Sequence, residues 1–344
     1  MKKKSLTYTD VGVDIRKIKE YHRTIAEILK DTFKVRQHRL GKVLTEIGHY
    51  AGLIDLGRGR YLALHTDGVG TKTIIASTMK KYDTVGIDCV AMNVNDLICI
   101  GAEPIALLDY LAIDKPTEHV IQKIMKGLVK GAKQAKVAIV GGETAVMPDL
   151  INGFDLAAMS VGILDKKLLI TGAKIQRGDR IYGLGSTGIH SNGLTLARKV
   201  LLGRYKISDR PKELNRSVGE ELLIPTKIYV GPVLEILSKC KVHGLAHITG
   251  GAFSKLRRLG YKHGFLMNNM PEPLPIFKLI QRLGNISDYE MYRTFNMGIG
   301  FCIIAPKGEQ EEILNISHKN KCRFYDLGVI SEKAGVIING LKIT

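Results

Sequence analysis

A short segment near residue 67 combines the side chains needed to hold a phosphate and its metal ion. Residues 65–73 read HTDGVGTKT, with a carboxylate at Asp67 and an ammonium group at Lys72. Mg²⁺ prefers oxygen ligands, usually one or two carboxylates, with phosphate oxygens completing its octahedron. Glycines allow backbone N–H groups to approach a phosphate closely. The candidate binding residues in this segment are Asp67, Gly68, Gly70, Thr71 and Lys72.

Two later segments repeat the pattern of a carboxylate beside small or polar residues. They are NVNDL at 93–97 and GGET at 141–144, and they add Asp96 and Glu143 to Asp67 as candidate metal ligands. The alternative is structural, since such residues commonly cap turns and helices. A buried carboxylate also needs a partner, and a lysine or arginine could serve as well as a metal ion. The other binding candidates in these segments are Asn95, Gly141 and Gly142.

Standard nucleotide-binding motifs are absent or incomplete. The segment GVGTKT lacks the glycine spacing of a P-loop. Residues 183–188 fit the dinucleotide pattern G-x-G-x-x-G and follow a predicted strand, with Asp209 about twenty residues further on. The next helix, however, begins only after IHSNG, too late for the third glycine to open it. The pattern therefore disfavours a nicotinamide-binding fold.

Two histidine-containing segments supply the remaining polar clusters. They read HSNG from His190 and HITGG from His247. Histidine titrates near neutrality and could move protons, whereas hydroxyl and amide groups could bind phosphate or sugar. A serine hydrolase is not indicated, because the chain has no G-x-S-x-G elbow. Each histidine could instead be a hydrogen-bonded loop residue. The binding candidates beside the histidines are Ser191, Asn192, Thr249 and Gly250.

Hydrophobic periodicity predicts mixed helices and strands in both halves of the chain. The predicted helices cover residues 14–32, 84–100, a segment from Pro116 onward, 192–202 and 229–239. The predicted strands cover 61–65, 105–113, 137–140, 157–164, 180–184 and 298–304, the third being buried and broken by Gly141 and Gly142. The polar segment 165–179 indicates a junction, so we expect an N-terminal domain at 1–168 and a C-terminal domain at 169–344.

Composition limits the possible partners of the chain. The 344 residues carry a net charge of +18, which could indicate nucleic-acid binding, a lysine-rich surface or attraction of anionic substrates. Only 6% of residues are aromatic and no nucleic-acid motif occurs, which disfavours nucleic acid. No apolar run approaches the roughly 18 residues of a membrane span. We interpret the basic residues 1–10 as an exposed tail, and the five scattered cysteines as free thiols in the cytoplasm.

Several strings taken together resemble one enzyme family. They are DGVGTK (67–72), GIDCVAMNVNDL (86–97), GAEP (101–104), GGETAVMP (141–148), GSTGIHSNG (185–193) and HITGGAF (247–253). In this order they resemble the phosphoribosylformylglycinamidine cyclo-ligases, and SLTYTDVGVDI (5–15) resembles the N-terminal segment of that family. The chain departs from the family pattern at Val146, Ile189 and Ala252, and residues 47–60 match its glycine-rich stretch only loosely.

The resemblance implies a fold and a reaction. An N-terminal α/β domain would form the core of a homodimer through its sheet, followed by a C-terminal α+β domain. Formylglycinamidine ribonucleotide and ATP would give aminoimidazole ribonucleotide, ADP and phosphate. Asp67, Asp96 and Glu143 would hold Mg²⁺, and Lys72 with the glycines would stabilise the transferred phosphoryl group. His190 would act near the ring-closing centre, and His247, Thr249 and Gly250 would bind the ribose phosphate of the substrate.

Other members of the same superfamily are the alternatives. Selenophosphate synthetase would need a reactive cysteine or selenocysteine near its N-terminus, whereas the first cysteine here is Cys89. Thiamine monophosphate kinase generally lacks the HSNG and HITGG pair. The larger formylglycinamidine synthase is far longer than 344 residues.

Overall fold

The structure is a computed structural model that describes Thr7, Asp10, Gly12 and residues 15–344. Most of the predicted exposed tail at 1–10, and the predicted helix start at residue 14, therefore lie outside the described residues. The first described helix, α1, spans Ile15–Leu29 and continues as a 3₁₀ helix over Lys30–Arg36. Within the described part of the chain, no helix has the length and apolar character needed to cross a bilayer.

The N-terminal half forms a mixed sheet with helices packed on one face. Its strands are β1 (Gly52–Asp55), β2 (Arg60–Gly68), β3 (Glu103–Ile113), β4 (Ala138–Val146) and β5 (Phe154–Asp165), and its helices are α2 (Lys72–Met79), α3 (Val85–Ile98) and α4 (Glu118–Ala135). The strand order is β1-β2-β5-β3-β4, with β3 and β4 parallel and the other neighbouring pairs antiparallel. The α/β prediction for this half is confirmed.

Helix α3 is buried along its whole length because it lies between the sheet and the rest of the molecule. It packs against β2 and β5 on one side and against α4 and elements of the C-terminal half elsewhere. The α3–α4 contact is so close that a Cβ on Gly86 would lie 2.2 Å from the backbone nitrogen of Leu128. A glycine is therefore required at this crossing.

The C-terminal half forms a second sheet whose neighbouring strands are antiparallel except for β8 and β11. Its strands are β6 (Arg180–Gly185), β7 (Gly244–His247), β8 (Gly264–Met267), β9 (Ile299–Ala305), β10 (Phe324–Ser331), β11 (Gly335–Ile338) and β12 (Leu341–Lys342), in the order β12-β11-β8-β10-β6-β9-β7. Its helices are α5 (Leu194–Leu202), α6 (Val218–Leu222), α7 (Val230–Lys239), α8 (Pro275–Gly284), α9 (Asp288–Thr294) and α10 (Gln310–Lys319). The predicted α+β character of this half is confirmed. The boundary between residues 168 and 169 stays a prediction.

The prediction for strand β4 is wrong in two respects. The strand runs without a break through Gly141 and Gly142, because β3 pairs with it on both sides of the glycines. It is also mostly exposed rather than buried, since it forms the edge of the sheet in a single chain. Gly142 has a packing reason to be glycine, because a Cβ there would lie 2.5 Å from a carboxylate oxygen of Asp109.

Candidate functional site

Three distant parts of the chain meet around one buried carboxylate. Strand β2 brings His65 and Asp67, helix α3 brings Asp96, and the second domain brings His247 from β7 and Lys255 from a 3₁₀ helix at Ala252–Leu259. We call these five residues the Asp96 cluster. Asp96 itself is only 2% exposed. Its Oδ1 lies 2.7 Å from Nδ1 of His247, and its Oδ2 lies 3.7 Å from Nε2 of His65 and 3.9 Å from Nζ of Lys255.

The two carboxylates of the cluster differ in their electrostatic environment. Burial acts to raise the pKa of Asp96, but Lys255, His247 and His65 together hold it well below its ordinary value. Burial and the neighbouring Asp96 raise the pKa of Asp67, and His65 and Lys255 offset this only in part. Asp67 is therefore less well compensated for its burial than Asp96 is.

Asp67 is held in place by an amide side chain on the neighbouring helix. Oδ1 of Asn93 accepts a hydrogen bond from the backbone N–H of Asp67 at 3.1 Å, and Nδ2 of Asn93 donates to its carbonyl oxygen at 3.0 Å. This paired contact fixes the end of β2 against α3. The sequence contained Asn93 within the NVNDL string, but its own role was not foreseen.

His247, as a neutral imidazole, orients the carboxylate of Asp96. Burial lowers the pKa of His247 although the hydrogen bond to Asp96 opposes this. Its Nδ1 donates to Asp96, so Nε2 is the acceptor and faces the amide nitrogen of Asn95 at 3.4 Å. This contact gives His247 the role of holding the carboxylate of Asp96 in place. Its predicted contact with the substrate stays a prediction.

Only part of the predicted metal triad comes together. Among the described residues, no three His, Cys, Asp or Glu side chains are grouped as a metal site. Asp67 pairs across the sheet with Ala158, which pairs with Asp109, so these side chains share one face. Glu143 pairs with Tyr110 and lies on the opposite face. Alternation along the strand turns the carboxylate of Glu143 away from Asp67 within one chain, so the structure does not bring the two together, and the assignment of Glu143 to a metal stays a prediction.

Lys72 does not face the Asp96 cluster in this structure, and its predicted contact with a phosphate stays a prediction. Its side chain is completely buried, with Nζ 2.8 Å from Oδ2 of Asp88. It also donates to the carbonyl oxygen of Ile224 at 2.6 Å. Lys72 is the first residue of helix α2, and its side chain points towards Asp88 on α3. The short spacing between Asp67 and Lys72 in the sequence did not indicate this direction of the side chain.

Several other candidates form the joint between the domains instead of lining the site. Ser191 donates to Asp88 at 3.1 Å. Asn95 donates to the carbonyl oxygen of Lys227 at 2.8 Å and accepts from the backbone N–H of Tyr229 at 2.9 Å. These contacts give Asn95 and Ser191 a structural role in the joint, and their predicted binding roles stay predictions.

His190 is also buried, and its backbone is strained. Its φ of 66° lies in the left-handed region that few non-glycine residues adopt. Its Nε2 accepts a hydrogen bond from the N–H of Thr187 at 3.2 Å, and burial drives its pKa well below the ordinary value. This neutral and enclosed ring does not support the predicted proton transfer.

The remaining candidates lie near the opening of the site. Gly70 has a φ of 65° and precedes helix α2 with open space beside it. A Cβ on Gly250 would lie 2.9 Å from the side-chain oxygen of Asn192, so these residues are neighbours. Thr249 accepts a hydrogen bond from Lys255. Gly68, Gly70, Thr71, Asn192, Thr249 and Gly250 therefore stay binding candidates; Gly141 and Gly142, on β4, gain no support.

A cavity of about 580 Å³ lies elsewhere, between the first sheet and helix α7. Arg60, Ile163 and Leu234 are among the residues that line it, and none of the predicted site residues does. Its size does not make it the reaction site, because the candidate chemical groups lie around Asp96.

Comparison with known proteins decides the family. Residues 48–164 match the family model described as AIR synthase related protein, N-terminal domain, and residues 176–339 match the corresponding C-terminal domain. The chain belongs to the AIR synthase family. It is 52% identical over 338 residues to the phosphoribosylformylglycinamidine cyclo-ligase of Pyrococcus furiosus, an alignment that covers 98% of this chain and 99% of that relative.

Solved structures of low identity share the fold. The thiamine-monophosphate kinase from Stenotrophomonas maltophilia matches with a TM-score of 0.62 at 18% identity, over 91% of this chain and 96% of that chain. PurL of T. maritima complexed with ADP matches with a TM-score of 0.58 at 15% identity, over 90% of this chain and 45% of that chain. These likenesses show that the fold is shared with both proteins.

The burial of His190 predicts a loss of stability in acid. Folding lowers the pKa of His190, so as the pH falls below about 6.5 the unfolded state binds a proton that the folded state does not. The free energy of unfolding therefore falls over this pH range. We expect the free energy of unfolding to decline less steeply in His190→Asn, by up to about 1.4 kcal/mol per pH unit. Asparagine is chosen because it tolerates positive φ.

Urea denaturation of both proteins at intervals from pH 8 to pH 5 measures this difference. At pH 8 imidazole is neutral in both states, so the two stability curves should run parallel there. Parallel curves below pH 6.5 as well would show that His190 accepts a proton in the folded protein.

Proposed function

We propose that this protein catalyses the ATP-dependent closure of formylglycinamidine ribonucleotide to aminoimidazole ribonucleotide, with release of ADP and phosphate. The reaction is a ligase step of purine biosynthesis. The observation that carries the proposal is 52% identity, over nearly the full length of both chains, to a relative named as this cyclo-ligase. The Asp96 cluster supports it, because it combines paired carboxylates with neighbouring cationic groups.

The chemistry requires activation of an oxygen that leaves poorly. Transfer of the γ-phosphoryl group to the formyl oxygen forms an iminophosphate, and phosphate departs when the amidine nitrogen attacks the same carbon. Phosphoryl transfer depends on alignment and neutralisation of charge more than on covalent help from the protein. A site built from fixed carboxylates and cations meets this need.

We assign Asp67 and Asp96 to Mg²⁺, which would neutralise the phosphates of the nucleotide. Two carboxylates are a usual protein contribution to Mg²⁺ when phosphate oxygens complete the shell. The proximity of the two carboxylates supports this assignment, and the low pKa of Asp96 keeps it ionised. His247 keeps Asp96 oriented, and Asn93 keeps Asp67 in position.

The glycine turn before α2 and the second domain would hold the two substrates. Gly70 and Thr71 precede helix α2, where free backbone N–H groups favour anions. Gly68 belongs to the same turn and donates its own N–H to Asp67. Asn192 and Gly250 are neighbours, and we assign them, with Thr249, to formylglycinamidine ribonucleotide. The net charge of +18 would favour the approach of both anionic substrates. The described cysteines are all free, which supports a cytoplasmic location.

We further propose a homodimer that buries the open face of the first sheet. On this face Leu62, Leu64, Leu108, Tyr110, Met159, Val161 and Ile163 lie on neighbouring strands in register. All are partly or largely exposed in the single chain, with Met159 41% exposed. A continuous apolar sheet face of this kind is typical of an interaction surface, and a second copy would cover it by symmetry.

The catalytic proposal predicts that Asp67→Asn loses activity while it stays folded. Removing one charge from a carboxylate pair that holds a metal–nucleotide complex should lower kcat by at least about 100-fold. The assay is release of ADP that depends on formylglycinamidine ribonucleotide. Asp165→Asn, an exposed change on the same sheet, should retain activity. Wild-type protein that shows no such dependence, or that phosphorylates thiamine monophosphate instead, would refute the proposal.

The dimer proposal predicts that Val161→Lys produces a monomer. Val161 lies on β5, between β2 and β3, so a buried ammonium group there would oppose association. Sedimentation velocity at micromolar concentration measures the effect. Val129→Lys is the matched control, since Val129 is 46% exposed on α4, away from the sheet face. A monomeric wild type, or a Val161→Lys dimer, would contradict the proposal.

A further inference from the structure

The cation next to the candidate metal ligands is Lys255. Its Nζ lies 3.9 Å from Oδ2 of Asp96, whereas Lys72 is enclosed at the domain joint with Asp88. The side chain of Lys255 is 13% exposed, so it lies at the boundary between the protein interior and the opening of the site. That of Lys72 has no exposed surface. Only Lys255 can therefore reach a bound anion without a rearrangement.

The contact between Lys255 and Asp96 is loose. Strong ammonium–carboxylate hydrogen bonds have lengths of about 2.7–2.9 Å, as Lys72 and Asp88 show with 2.8 Å. At 3.9 Å, Lys255 attracts Asp96 without a short hydrogen bond. An ammonium group has three N–H donors, and within the described residues its hydrogen bond is to Thr249. Donor capacity is left for a ligand.

The backbone of Lys255 is held by a contact with the N-terminal half of the chain. The hydroxyl group of buried Tyr50 donates to the carbonyl oxygen of Lys255 at 3.1 Å. The guanidinium group of Arg258 lies over the same tyrosine ring, 5.1 Å from its centroid. Tyr50 thus anchors the 3₁₀ helix at Ala252–Leu259 to the segment that precedes β1, and the position of Lys255 is set in advance of binding.

An unpartnered polar atom lies beside the carboxylate that Lys255 faces. Nε2 of His65 is buried without a hydrogen-bond partner among the described residues, 3.7 Å from Oδ2 of Asp96. Buried polar atoms are rarely left unpaired. Lys255 approaches the same oxygen of Asp96. An anion with several oxygen atoms could therefore contact both His65 and Lys255.

We propose that Lys255 binds the phosphoryl group that ATP donates, the role expected from the sequence for Lys72. The proposal rests on the proposed function. Nζ of Lys255 donates to a non-bridging oxygen of the γ-phosphoryl group and keeps its protons throughout. The bond from the γ-phosphorus to the β,γ-bridging oxygen breaks, the bond to the formyl oxygen forms, and ADP departs with the electron pair. Lys255 stays with the phosphoryl group and stabilises its charge during transfer.

Two substitutions separate this role from a structural one. Lys255→Met removes the charge at nearly constant length, and Lys255→Arg retains it. We expect kcat to fall by about 100-fold or more in Lys255→Met and to recover by at least about tenfold in Lys255→Arg. Lys278→Met, on α8, removes an exposed lysine outside the site and should match the wild type. Thermal unfolding of all variants should stay within a few degrees of the wild type.

A binding measurement that needs no turnover completes the test. Calorimetric titration with magnesium and a non-hydrolysable ATP analogue should show about tenfold or greater weakening in Lys255→Met, while affinity for AMP should stay within about twofold because AMP lacks the γ-phosphoryl group. Equal weakening for both nucleotides, or analogue affinity unchanged within about twofold, would overturn the proposal. If Lys255→Met does not fold, Lys255→Gln is judged by the same criteria.

Turnover by the wild type distinguishes an error in the proposed substrate from an error in the role of Lys255. If the wild type shows no turnover with formylglycinamidine ribonucleotide but loses analogue affinity selectively in Lys255→Met, the proposed substrate is wrong and Lys255 still binds the terminal phosphoryl group. If the wild type turns over normally and Lys255→Met does too, the function stands and the assignment of Lys255 is wrong.

Discussion

The buried ion pair between Lys72 and Asp88 is the interaction on which the arrangement of the two halves depends. Both side chains are completely buried. Oδ1 of Asp88 also accepts hydrogen bonds from the backbone N–H and hydroxyl group of Thr226, at 2.7 and 2.6 Å, and from Ser191. A buried charge is tolerated only when such donors surround it. The ion pair belongs to the first domain and most of the other donors belong to the second, so separation of the domains would break the hydrogen bonds from Thr226 and Ser191 to Asp88.

Helix α3 connects this ion pair to the Asp96 cluster. Asp88 and Asn95 are about two helical turns apart and therefore lie on the same side of the helix. Both contact the segment between Ile224 and Tyr229 of the second domain. Asp96 follows directly and receives the hydrogen bond from His247. The same helix thus fixes the domain joint and presents the carboxylate at the centre of the site.

The sequence predicted the composition of the site better than its geometry. The fold class, the family and the activity followed from ordered motifs, and the convergence of Asp67, Asp96 and His247 agrees with the expected region. The sequence did not show that Lys72 faces Asp88 or that Glu143 lies on the sheet face opposite Asp67, because chain proximity does not give the direction of a side chain. For Glu143 the deciding fact is strand register, which a single sequence does not contain. Lys255 lies beyond the HITGGAF string, in a 3₁₀ helix with no distinctive pattern.

The exposed edge strand β4 has a related explanation. Its apolar and glycine-rich sequence indicated a buried strand, yet a single chain leaves it exposed at the edge of the sheet. Sequence patterns record burial in the assembled protein, whereas the structure describes one chain. The open face of the same sheet is also apolar. The proposed dimer would remove this face, and strand β4 with it, from solvent.

A double-mutant cycle at the domain joint tests the central claim most directly. Urea denaturation of Lys72→Met, Asp88→Leu and the double variant gives the coupling energy, and calorimetry gives the affinity of each for the ATP analogue. We predict that each single change destabilises by about 3–5 kcal/mol, that the double change costs clearly less than the sum, and that Lys72→Met keeps its analogue affinity. A Lys72→Met protein with wild-type stability and greatly weakened analogue binding would contradict the account. It would show that Lys72 contacts the phosphates of the nucleotide.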